Sequence, residues 1–186
     1  STSGGAHALA SPATQAFDPT TINIPVPAPP NPLPPTTNKN INQNTVLPPG
    51  NYGNINVTGG STLTITPGIY NINSLSMTGN STLEISPAGQ VVFNVAGTSV
   101  SSGQNVINLS GGTITNTTGS PVNLVVNYAG TLKISVSGGA NTSVVVDAPN
   151  SDVAITGGTD VFGSIIGHTI TDTGGTKYHY DESAAR

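Results

Sequence analysis

Charge is what this sequence has least of. Only 6% of its 186 residues are Asp, Glu, Lys or Arg, against about 25% in ordinary soluble domains. Aromatic residues make up 4%, and Cys and Trp are absent. Four basic residues within a net charge of −4 exclude nucleic acid as a partner, because phosphate affinity rests on many Lys and Arg contacts. Helices lack the charged, straight-chain residues that give them propensity and a solvated outer face. No apolar run approaches the ~20 residues a membrane helix needs, so membrane insertion of the mature chain is not expected. The lack of cysteine carries no redox information by itself.

What remains is Thr, Val, Ile, Asn, Ser and Gly, the residues of strands and turns. The fold class is all-β. The chain opens Ser1-Thr2-Ser3-Gly4-Gly5 without Met. The expectation is a mature product from which an export signal has been removed, secreted and placed outside the cell or on its surface.

Eleven of the fifteen prolines lie in the first fifty residues. Proline fixes φ and lacks an N–H, so this stretch reads as extended chain and not as sheet interior. The organisation expected is a Pro-rich N-terminal arm over residues 1–45 and a β-domain over 46–186. The arm is either a linker or a segment that packs on its own domain or on a neighbour. Phe17, Ile22, Ile24, Val26 and Leu33 are its apolar contact candidates.

Beyond the arm a phrase recurs. Ser61-Thr62-Leu63-Thr64-Ile65-Thr66 returns as Ser81-Thr82-Leu83-Glu84-Ile85-Ser86, an offset of twenty residues. Gly-Gly pairs at 59–60, 111–112, 157–158 and 174–175 punctuate similar alternating runs. Period-two alternation sends Leu63 and Ile65 one way and the threonines the other. Hairpins would suit such punctuation, yet Asn-Gly and Asp-Gly, the strongest hairpin signals, do not occur. A single-stack parallel β-helix uses the likeness directly, because equivalent residues of successive coils stack: Leu63 over Leu83, Ile65 over Ile85. About six or seven coils are expected, right-handed by preference, with a sandwich or barrel as the alternative.

Several segments also carry a resemblance. They are Leu47-Pro48-Pro49-Gly50-Asn51-Tyr52, Thr66-Pro67-Gly68-Ile69-Tyr70, Asp147-Ala148-Pro149, Val161-Phe162-Gly163 and the terminal Tyr178-His179-Tyr180-Asp181-Glu182. Over roughly residues 45–182 the chain resembles poorly characterised bacterial exported proteins that accompany type IV or Tad-like pilus assembly. The resemblance implies a β-helical surface or appendage domain and brings no catalytic residues.

Chemistry has few candidates. On a strand His179 and Asp181 would share a face, an arrangement able to hold a metal or polarise an imidazole. The plainer reading is that Tyr178, His179, Tyr180, Asp181 and Glu182 cap the last coil. His7 and His168 read as ordinary surface residues. No cofactor or metal is assigned and no enzymatic activity is expected. Two readings of function stand. The first is an extracellular structural protein assembling head-to-tail with copies of itself into a filament or appendage, its arm touching a neighbour. The alternative is a monomeric solenoid binding a cell surface, glycan or ice through a flat threonine face of Thr62, Thr64, Thr66, Thr113, Thr115, Thr169 and Thr171. Glu84 and Ser86 interrupt that face.

Overall fold

A computed structural model describes residues 23–86, 89–137, 141–158 and 160–182. Among them the chain winds as a parallel β-solenoid of about seven turns, without an α-helix. The strands are β1 (Asn38–Ile41), β2 (Thr45–Leu47), β3 (Gly50–Val57), β4 (Thr62–Ile65), β5 (Gly68–Met77), β6 (Ser81–Ile85) and β7 (Val91–Val95). They continue as β8 (Asn105–Asn108), β9 (Gly112–Asn116), β10 (Leu124–Tyr128), β11 (Lys133–Ser137), β12 (Thr142–Thr156), β13 (Asp160–Thr173) and β14 (Lys177–Tyr180). All pairings between them are parallel.

The early coils have three faces. The first holds β1, the second half of β3, the second half of β5, β8 and β11, and then the later parts of β12 and β13. The second holds β2, β4, β6 and β9, where it ends. The third runs from the start of β3 through β5, β7 and β10 to the early parts of β12 and β13 and to β14.

The stacking follows the repeat. Leu63 pairs with Leu83 and Ile65 with Ile85, all four buried. Such columns remove apolar side chains from water at about 25 cal/mol per Å², and alternation turns the intervening polar residues outward. Outside, asparagines form a ladder up the third face: Asn71 donates to Asn51 at 2.8 Å, Asn94 to Asn71 at 3.1 Å and Asn127 to Asn94 at 3.0 Å. The corner glycines also stack, Gly79 on Gly59 and Gly174 on Gly157.

The solenoid starts earlier than the expected boundary at residue 46. β1 already pairs with β3, Asn38 against Asn54 through Ile41 against Val57. Its Asn-Lys-Asn-Ile sequence has a single apolar residue and no visible alternation, because the position facing inward beneath Ile55 is held by Lys39. The Lys39 ammonium instead lies 5.8 Å from the centre of the Tyr52 ring, a cation–π contact at the bottom of the stack.

Candidate functional site

β14 lays the terminal motif over the last turn, with Tyr178 over Val161, His179 over Phe162 and Tyr180 over Gly163. The His179 ring stacks on Phe162 with centroids 4.5 Å apart, and its Nε2 lies 3.4 Å from Asp160 Oδ2. His179 therefore pairs with an acid one coil below, where the sequence pointed to Asp181. The Asp181 N–H donates to the Gly163 carbonyl at 3.3 Å, and Glu182 closes the described chain. Burial pushes the Tyr178 phenol above its ordinary pKa. Among the described residues no three His, Cys, Asp or Glu side chains converge on a metal position.

β14 covers only the beginning of β13. Residues 169–173 have no strand on their outer edge among the described residues. Ile170 is 51% exposed, although every residue beneath it in the same column, from Val153 down to Ile55, is buried. His168, read from sequence as an ordinary surface residue, sits 3.2 Å from Asp152. Asp152 also accepts the Thr169 hydroxyl at 2.6 Å. These bonds, Thr169 first and His168 second, hold the Asp152 carboxyl below the usual range.

The threonines do not form one array. Thr62, Thr82 and Thr113 share a column on the second face, and Thr64, Glu84 and Thr115 share the next. Glu84 accepts the Thr64 hydroxyl at 3.1 Å, so the carboxylate interrupts the face as its sequence position indicated. Thr66 is tied by its backbone to the Tyr70 hydroxyl. Thr169 and Thr171 lie against Asp152 and Ala154 on the first face. Alternation gave their side of the strand but not the face the strand joins.

Of the arm candidates, Phe17 and Ile22 lie outside the described residues. Ile24, Val26 and Leu33 are exposed, while Pro30 and Pro34 are buried in their own chain. In the first coil Ile41 and Leu47 are only 3% exposed, and among the described residues no strand lies beneath them.

A groove that sequence reasoning missed lies on the first face. After β7 the chain leaves the stack over residues 96–104 and rejoins it at β8. Asn73, fully buried at the corner of β5, pins this loop. Its carbonyl oxygen accepts the Thr98 N–H at 2.8 Å and the Thr98 hydroxyl at 3.0 Å. Its amide donates to Asn54 Oδ1 at 2.6 Å and to Ser99 Oγ at 2.7 Å. Under the loop a cavity of about 340 Å³ is lined by side chains that include Asn54, Asn56, Ser76, Ser101, Gln104 and Asn105. The only sequence signal was the Asn-x-Asn spacing in β1 and β3, which by itself suits turns as well as ladders.

No curated protein and no solved structure matches the chain. Residues 36–186 match the family described as domain of unknown function DUF7305, and the chain belongs to that family.

Proposed function

We propose that the chain is a non-enzymatic, exported structural protein that assembles head-to-tail with copies of itself. One observation carries the reading: the inward columns end differently at the two ends of the stack. Among the described residues the column through Ile55 closes on Lys39 at the bottom and on exposed Ile170 at the top, with Asp172 two residues further over Ile155. Stacking a second copy in the same sense continues the first-face ladder from residues 169–173 onto β1. It covers Ile170 with the stem of the incoming Lys39 and brings that ammonium within reach of Asp172. Main-chain hydrogen bonds supply the affinity, and the charge pair sets register and direction. A contact between unlike ends does not close on itself and generates an open fibre.

Low charge supports the reading, since little repulsion opposes close packing of copies. The exposed Ile24, Val26 and Leu33 are suited to lie on a neighbour, and Pro30 and Pro34 anchor the same segment at home. The two His–Asp pairs are exposed or half-exposed and lie on different strands, which supports a structural reading over a catalytic one. Light scattering over a concentration series, with negative-stain microscopy, tests the proposal. Mass rising far above the 18.6 kDa monomer together with thin uniform fibres is expected; a monomer at every concentration contradicts it.

A further inference from the structure

The groove under residues 96–104 lies on the outer side of the first face, and of its lining only Asn38 belongs to β1, the strand that pairs in that assembly. We infer that it binds a neutral, hydroxyl-rich glycan running along the solenoid axis. Among the described residues no charged side chain lines it, so an ionic ligand would lose hydration without gaining a partner. Val100 is its only apolar lining residue among the described residues, which leaves an apolar ligand little to bury.

Its unspent capacity is of the amide and hydroxyl kind. The side chains of Ser76, Ser101, Gln104 and Asn105 have no hydrogen-bond partner among the described residues, whereas Asn54 and Asn73 are occupied in holding the groove together. An Asn or Gln side chain offers two donors and one acceptor on a planar group, a match for adjacent sugar hydroxyls. Equivalent positions such as Asn56, Ser76 and Asn108 repeat from coil to coil at ~4.8 Å, about the length of one sugar unit in an extended glycan. The loop is fixed by Asn73 before any ligand arrives, which lowers the ordering cost of binding. With polar contacts alone and no aromatic platform, the expected Kd is on the order of 0.1–1 mM.

The test is a titration of the ¹⁵N-labelled full chain, read at the side-chain amides of Gln104, Asn105 and Asn56. The probes are cello-, xylo-, manno- and malto-hexaose, with oligogalacturonate and a Ser/Thr-rich peptide alongside. At least one neutral hexaose should shift those amides. Gln104→Ala with Asn105→Ala should weaken its binding about tenfold without changing the circular dichroism. Gln104→Ala alone, at an exposed side chain, serves if the double variant misfolds, and should weaken binding severalfold. The inference is overturned if no neutral hexaose shifts these amides, if the variants bind as well as the parent, or if the acidic sugar or the peptide is the better ligand.

Discussion

Pro49 fills the space that a side chain at Gly68 would need. A Cβ on Gly68 would lie 2.4 Å from Pro49 Cγ, and the arrangement returns one coil later, where a Cβ on Gly89 would lie 2.5 Å from Pro67 Cγ. The Pro-Gly phrases are thus stacked corners, with the proline of one coil lying against the glycine of the next. Gly68 also has φ of 139°, a conformation that glycine alone adopts without strain.

Gly68→Ala should therefore cost about 2–3 kcal/mol, from strain and overpacking together. Pro49→Ala, which removes Cγ but keeps Cβ, should return only part of that loss when the two are combined. Thermal melts of the two single variants and the double variant measure the coupling. Fully additive effects would contradict the contact.

Asn73 should be the most sensitive polar position. Asn73→Leu strands Thr98 and Ser99 and should cost about 2–3 kcal/mol, with hydrogen-exchange protection lost first at the backbone of residues 97–99. Asn73→Asp turns a donor into an acceptor against Asn54 Oδ1, 2.6 Å away in the parent. Its damage should ease at acid pH, when the new carboxyl carries a proton. Equal exchange in parent and variants would show that the loop is held by other means.

Asp152 gives a pH prediction. Its carboxyl is held low by the Thr169 hydroxyl and then by His168. A carboxyl with a lowered folded-state pKa favours the native state above the ordinary carboxylate range, and that contribution is lost as pH falls through the lowered value. Thr169→Val should raise the Asp152 midpoint in a ¹³C carboxyl titration. The Thr169 effect should survive high salt, because a neutral hydrogen bond is not screened as an ion pair is. A midpoint unmoved by Thr169→Val would contradict the assignment.

The parts of the fold legible in the sequence are those where one coil follows another without insertion. Leu63 and Leu83 announce themselves because a six-residue phrase returns after twenty residues with only Thr64 and Thr66 replaced, by Glu84 and Ser86. The next partner in that column, Ile114, is hidden because the 96–104 loop lengthens the coil between them. β1 is hidden for a different reason, since Lys39 holds an inward position that the pattern reserves for apolar residues. Thr62 and Thr169 look alike in sequence, yet the register of neighbouring strands sends them to different faces. The His179–Asp160 pair was out of reach because it joins adjacent coils, and sequence alternation relates only residues of one strand.

The head-to-tail account is tested most directly by charge reversal at the two ends. Lys39→Glu alone and Asp172→Lys alone each set like charges across the contact, while a one-to-one mixture restores an opposite pair at every junction. Light scattering of the two variants, separate and mixed, is the measurement, with melting temperatures checked beforehand. The account predicts that each variant remains monomeric alone and that the mixture grows into an alternating polymer. Variants that polymerise separately as the parent does, or a mixture that stays monomeric while the parent assembles, would contradict it.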